Sequence, residues 1–282
     1  MSDLAWCPDN IHFASCGTDG QIIICSINEP AAVKHVECKA NGVTFDPFGK
    51  FMASQSSEEK CLTVWRIQDF KNLTKECEHR DYYKDSMSQS LFRRLSWSSD
   101  GQFISTTAGK IGSQHMAPLF ERSSWKQFAT LSGHSKTITT SRINPRLFKD
   151  ENSSQELDYE TGTYKKALSC YSVVALASID STISIWKPFM SKPFAVILDI
   201  FNMGVTDLTW GFNGNILLAS SNDGKVFYVH FKPGVLGQPL SELEKQLIIE
   251  KKYGSTILND YKKHTRLLGN DLAKSTHMTQ TV

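Results

Sequence analysis

His134, Ser178 and Asp180, with Trp186 shortly after, bring together the residue types of a nucleophile, a general base and the carboxylate that would orient it. In acyl transfer the imidazole takes the hydroxyl proton while the carboxylate fixes its tautomer. The surroundings of Ser178 do not fit that chemistry, because no G-x-S-x-G turn presents the hydroxyl. No phosphate-cradling G-x-x-x-x-G-K-[ST], dinucleotide-binding G-x-G-x-x-G or zinc-binding H-E-x-x-H occurs elsewhere in the chain. The residues point to a structural network and to a chain that is not an enzyme, with no catalytic residues, metal ligands, cofactor or small-molecule substrate.

The segment Val173–Lys187 has two short β-branched runs joined by a polar turn and closed by Trp186. Weaker copies start at Leu4-Ala-Trp6, Val43-Thr-Phe45, Leu95-Ser-Trp97 and Leu208-Thr-Trp210, while Ser141-Arg-Ile143 opens the unit that contains Val173. Each third residue is large and apolar, and Pro8, Pro47 and Pro145 follow two residues later, where a missing N–H should end a strand. Hairpin units at intervals near 40–45 residues indicate a WD-repeat β-propeller. The expected fold is therefore all-β, with five repeats at about 1–30, 31–70, 84–125, 130–190 and 195–232 and a polar surface insertion at 146–166. In such a blade a His, a Ser or Thr, a turn Asp and a strand-end Trp form a hydrogen-bonded chain that satisfies buried polar groups. Only the fourth unit has all four, in His134, Ser178, Asp180 and Trp186.

Composition is that of a soluble globular chain, with 40% hydrophobic and 21% charged residues and a net charge of +2. That balance gives no support for a nucleic-acid surface. The seven cysteines have no C-x-x-C spacing, so they read as free thiols in a reducing compartment. No apolar run reaches the ~18 residues of a membrane span, so no membrane partner is expected. Asp150, Glu151, Glu156, Asp158 and Glu160 form an acidic run that could steer a basic partner such as a histone. A solvated insertion is the preferred reading of that run. Trp6, Trp65, Trp97, Trp186 and Trp210 fall at blade-core positions, which leaves Trp125 as the candidate exposed contact. In the extension 233–282, Pro239–Gly254 reads as a short helix. Ser241 and Glu244 form its capping box, Leu243, Leu247 and Ile248 its apolar face, and Gly254 its C-terminal cap. The basic Lys262–Arg266 and the residues beyond it are expected as a solvated, disordered tail.

Four stretches carry a closer resemblance. They are Asp46–Gln55 with Leu62–Arg66, Leu95–Phe103 with Glu121–Lys126, Gly133–Thr139 with Asn144–Lys149, and Gly237–Lys245 followed by Tyr253-Gly254. In these the chain is similar to the histone regulator A (HIRA) family of WD-repeat histone chaperones, collinearly from about Leu4 to Gly254. The resemblance implies a nuclear, non-catalytic scaffold for replication-independent nucleosome assembly and transcriptional regulation, including repression. It also implies histones, bound directly or through a second chaperone, together with ubinuclein-type and calcineurin-binding-protein-type subunits and chromatin, as partners. The related WD-repeat subunit of replication-coupled chromatin assembly factor is the nearest alternative, followed by a generic WD-repeat adaptor such as a ubiquitin-ligase substrate receptor. The family propeller has seven blades and only the last five have counterparts here, so an open array truncated at both ends is expected in preference to a closed five-bladed ring.

Overall fold

The computed structural model describes residues 1–29, 31–86, 90–150, 155–158, 163–166 and 169–278, and of 155–158, 163–166 and 266–278 the backbone alone. Alternating side chains build the first blade, as in Gln21–Ser26, where Ile22 and Ile24 are fully buried between more accessible neighbours. That blade is an antiparallel sheet of β1 (Asp3–Trp6), β2 (His12–Cys16), β3 (Gln21–Ser26) and β4 (Lys34–Glu37). The second repeats the order with β5 (Gly42–Phe45), β6 (Phe51–Ser56), β7 (Cys61–Asp69) and β8 (Asn72–His79). In the third, β9 (Ser96–Trp97), β10 (Phe103–Ser105), β12 (Gln114–Glu121) and β13 (Gln127–Ser132) form the blade, and β11 (Gly109–Ile111) pairs with the start of β12. The fourth contains β14 (Ile138–Lys149), β17 (Cys170–Ser178), β18 (Ile183–Trp186) and β19 (Ala195–Ile197). The fifth has the three strands β20 (Val205–Trp210), β21 (Ile216–Ser221) and β22 (Val226–His230). The result is an all-β, five-bladed propeller followed by one helical element, α1 (Glu242–Met278).

Four of the five blades turn back after the first strand through a residue in the left-handed region: Asn10, Gly49, Gly101 and, in the fifth blade, Gly214. Glycine adopts that conformation without steric cost, and asparagine tolerates it. The fourth blade departs from the pattern. Pro145 does not end a strand, because β14 bulges between Ile143 and Leu147 and then resumes pairing with β17 through Leu147 and Ser172. A bulge is one of the few places where a sheet accepts proline. Beyond it the expected polar surface loop is partly strand, since β14 runs to Lys149 and β15 (Gln155–Asp158) pairs with β16 (Thr163–Lys166).

The core lies between blades rather than within them. Ile22 and Ile24 pack on Val43, Phe45 and Met52; Leu62 and Val64 pack on Leu95, Trp97 and Ile104. Leu119 and Leu131 meet Ile143, Val174 and Trp186, and Val173 and Ile185 meet Val205, Leu208 and Leu217. In blades two to five the large third residue thus faces the preceding blade. Trp6 holds the equivalent place in blade one, where no described blade packs on that face, and it is 53% exposed. The expectation of a core Trp6 is corrected accordingly. Trp125, expected to be exposed, is instead buried edge-on against Phe51 and Trp97, with Nε1 3.4 Å from Glu76 Oε1. It closes the second-to-third blade interface that its own turn helps to form.

All five blades meet at the axis. Arg94 Nη1 lies 2.8 Å from Asp207 of β20 and 3.4 Å from Asp3 of β1, and Arg142 Nη2 of β14 lies 3.1 Å from Asp207. Asp3 Oδ2 accepts the Val43 N–H of β5 at 3.1 Å. Burial pushes the Asp3 carboxyl above its ordinary value, and Arg142, the Val43 N–H and Arg94 offset this only in part.

The extension runs back along blade four, where Lys149 N–H donates to Gln238 O and Leu240 N–H donates to Leu147 O. The capping box forms as expected, with Ser241 N–H and Oγ donating to Glu244 Oε2 at 2.8 and 2.9 Å. The helix is longer than expected, however, and helical geometry continues through Lys262–Arg266 to Met278 in place of a disordered tail. Gly254 does not end it but breaks it, with φ 82° and ψ 173°. Tyr261 Oη donates to Glu242 Oε1 at 2.8 Å although 19 residues separate them. A straight helix would hold those positions ~28 Å apart, so α1 is a hairpin of two helical arms folded at Gly254. Its docked face is not the expected one: Leu243 and Leu247 are exposed, and Ile249, Leu258 and Tyr261 pack on Phe48.

Two measurements test this construction. Arg94→Leu removes one of the two cations beside the buried Asp3 carboxylate, Arg142 remaining, and should cost no more than the low end of roughly 3–5 kcal/mol; an unchanged urea midpoint would sink the axial role. Lys149 and the Ser241 N–H and hydroxyl hold the Glu244 carboxyl down at about 2, from 4.5. A depressed carboxyl stabilises the fold above its unfolded value and loses that contribution as pH falls toward the folded one. Helical ellipticity should therefore decline as pH is lowered from 4.5 toward about 2, and the decline should be weaker in Glu244→Gln.

Candidate functional site

β14, β17 and β18 bring the fourth-blade polar set together, but not in the expected order. His134 Nδ1 lies 3.1 Å from Asp180 Oδ2, and its Nε2 lies 2.7 Å from the Oγ of Ser184, not of Ser178. Trp186 Nε1 donates to the same Ser184 Oγ at 2.8 Å. Ser178 is instead bound to the turn, donating to Lys136 O and accepting the Asp180 N–H, both at 3.1 Å. The expected role of Ser178 between His134 and Trp186 is thus corrected to Ser184. Side chains alternate across a strand, so Ser184 and Trp186, two apart on β18, share a face. That spacing was the available signal for Ser184.

Ser184, His134 and Asp180 do form the hydrogen-bonded order of a nucleophile, base and orienting acid. The hydroxyl is only 3% exposed and also receives the Trp186 N–H. It is therefore a buried junction between Trp186 and His134. Asp180 is the anchor of the turn: it also accepts from Thr182 Oγ1 at 2.7 Å, Thr182 N–H at 3.1 Å and Ser135 N–H at 2.9 Å. Burial alone would raise its carboxyl, but the bond and charge of His134, with the Thr182 donors, hold it below the ordinary carboxylate range.

Other candidate residues disperse. Asp150 is half-buried and accepts the Ser169 hydroxyl at 3.2 Å. Glu156 and Asp158 stand on β15, opposite Lys165 and Thr163, while Glu151 and Glu160 lie outside the described residues. The register therefore sets a lysine position, Lys165, opposite Glu156. A groove of about 380 Å³ opens between blades three and four, walled by Phe103, Phe128, Tyr171 and Phe189 with the Asp100 carboxylate beside them.

The cysteines are packing groups: all seven are free, and burial pushes the Cys16 thiol up to about 12 and Cys61 up to about 11. Among the described residues, no cluster of His, Cys, Asp and Glu is placed to hold a metal, and no helix is long and apolar enough to cross a membrane.

Replacing Ser184 by alanine orphans a buried indole N–H and a buried imidazole nitrogen, each costing roughly 1–3 kcal/mol. The thermal midpoint of Ser184→Ala should fall clearly further than that of Ser178→Ala. Equal midpoints would mean that Ser184 is not the junction.

The sequence itself has relatives among named proteins. A "Protein HIR1" from Mycosarcoma maydis is 32% identical over 245 residues, covering 85% of this chain and 22% of its own length. One from Cryptococcus neoformans is also 32% identical, over 82% of this chain and 25% of the relative. The Candida albicans protein is 30% identical over 92% of this chain and 29% of the relative. The chain thus spans about a quarter of the length of these relatives. The CAF1B/HIR1 beta-propeller domain matches residues 1–236, which are the five blades and the start of the extension. This chain belongs to the CAF1B/HIR1 beta-propeller family.

Proposed function

We propose that the chain is a non-catalytic scaffold subunit of a HIR-type histone chaperone complex, acting in the nucleus in replication-independent nucleosome assembly and transcriptional regulation, including repression. The observation that carries this reading is the family match across all five blades. Identity to proteins named HIR1 supports the HIR branch over the replication-coupled chromatin assembly branch that shares the family. A scaffold also suits the polar groups at hand. Ser184, whose hydroxyl bonds the histidine of the His134–Asp180 pair, is committed to the Trp186 bond and closed off from solvent.

The partners in this reading are histones, directly or through a second chaperone, chromatin, and ubinuclein-type and calcineurin-binding-protein-type subunits. Blade faces and the grooves between them offer the wide, sequence-tolerant surface that scaffolding needs. The acidic residues of the β15–β16 arm would add steering toward basic histone surfaces, by a field that salt screens beyond ~8 Å.

Co-purification of the full chain from cells arrested outside S phase, followed by mass spectrometry, tests the reading. Histones with the two named types of subunit are expected. Recovery only from replicating cells with replication-fork proteins would favour the chromatin-assembly-factor branch. A ubiquitin ligase without any chromatin protein would replace the reading with a generic adaptor.

A further inference from the structure

Two pairs of aromatic rings wall the groove of about 380 Å³ between blades three and four. Phe103 and Phe128 of blade three meet edge to face at 5.6 Å, and Tyr171 and Phe189 of blade four do so at 5.3 Å. Phe128 and Phe189 are exposed, so that both pairs can be reached from outside. Asp100 lines the same groove. It is 2% exposed, its Oδ1 accepts the Gln102 N–H at 3.2 Å, and its Oδ2 has no hydrogen-bond partner among the described residues. Nor does any cation among the described residues stand within ion-pair distance of it. Lys245 of the first helical arm acts on it only at longer range, and Lys187 stands over the Tyr171 and Phe194 rings at 5.0 and 4.9 Å. Neither lysine lines the groove.

We infer that this groove binds a lysine or arginine side chain from a basic segment of a partner protein. A carboxylate held out of water without a counter-charge is costly, and a cation relieves that cost through short charge-assisted bonds. The aromatic walls suit the rest of such a side chain, since ring faces attract the cation and apolar surface covers the methylene stem. The fold itself displays both halves of this recognition. Lys187 already rests on one of the groove's rings, and between blades two and three Arg122 joins Asp46 amid Phe48, Phe51, Trp97 and Tyr253. The set between blades three and four has the same composition, four rings and one carboxylate, with no lysine or arginine on its lining. Other segments fit less well: an acidic one would meet Asp100 with like charge, and a purely apolar one would seal that carboxylate off uncompensated. Because the groove opens along the side of the propeller, it admits a side chain carried on a polypeptide. Such a subsite is independent of which complex the chain joins.

Calorimetric titration of the full chain with end-blocked pentapeptides Gly-Ala-Xaa-Ala-Gly, where Xaa is lysine, arginine, norleucine or glutamate, tests the site. Saturable binding of the lysine or arginine peptide is expected, about tenfold or more tighter than that of the norleucine peptide, with none by the glutamate peptide. Which of the two cations binds better distinguishes an ammonium from a guanidinium site. Asp100→Asn keeps the size of the side chain and the acceptor for Gln102 while removing the charge. It should weaken the lysine and arginine peptides by about tenfold or more and leave norleucine unchanged. Phe189→Ala, at an exposed ring, should weaken all three and serves if Asp100→Asn does not fold. Tyr228→Ala, an equally exposed ring on blade five, should bind as the parent does. No saturable binding below about 10 mM, norleucine or glutamate bound as tightly as lysine and arginine, or binding untouched by both groove variants would overturn the proposal.

Discussion

Arg94 sits where the propeller must solve its hardest problem, the convergence of five sheets on one axis. Its guanidinium reaches carboxylates of the first and fifth blades, Asp3 and Asp207, and Arg142 of the fourth shares the second of these. Backbone pairing ties Arg94 itself to the fourth blade, since its N–H donates to Thr139 O and Ser141 N–H donates to its carbonyl. Apolar packing joins each blade to the next, but it is non-directional and acts only between neighbours. The axial charges supply what it cannot, a directional link between blades that are far apart in sequence. With Asp3 fixed, β1 holds its register beside β5, and from there the chain of interfaces can be built in order.

Buried charge appears again where the helical hairpin docks. Arg122 pairs with Asp46 at 2.7 Å and lies under the rings of Phe48, Phe51, Trp97 and Tyr253 at 4.8–5.7 Å from their centroids. Desolvated cation–π contacts of this kind are worth up to ~2 kcal/mol each. The cluster joins the second blade, the third blade and the first helical arm, so that the hairpin is held by the same interface it covers. A propeller face closed by a helical cap in this way presents its sides and outer edges as the accessible surface. The groove between blades three and four, with Phe128 51% and Phe189 65% exposed, lies on that side.

Much of the fold was legible because a blade is a local unit. Alternation and turn residues within some forty positions are enough to recognise it, and the first strands begin within three residues of the expected places, at Asp3 for Leu4, Gly42 for Val43 and Val205 for Leu208. The departures share one cause: each depends on what a distant segment does. Trp6 reads like Trp97 in sequence, and differs only because no described blade covers it. Trp125 reads as a loop residue, and is buried because Phe51 and Trp97 stand on either side of its turn. Ser178 and Ser184 are both plausible partners for His134, and the register of β17 against β18 selects the second. Gly254 as a helix stop was half right, since glycine does break the helix there but Tyr261 and Leu258 bring it back.

The sequence by itself determined the repeat, the fold class, the capping box at Ser241 and Glu244, the polar set around His134, and the family likeness, all of which rest on residues close together or on words read in order. Tertiary structure alone decided the axial charges, the Arg122 cluster and the folded hairpin. Asp3, Arg94, Arg142 and Asp207 belong to no motif and lie up to 113 residues apart when bonded, as Arg94 and Asp207 do. Such groups acquire meaning only when packing removes water from around them. Until then an aspartate or arginine is an ordinary solvated charge, and afterwards it must find its partner.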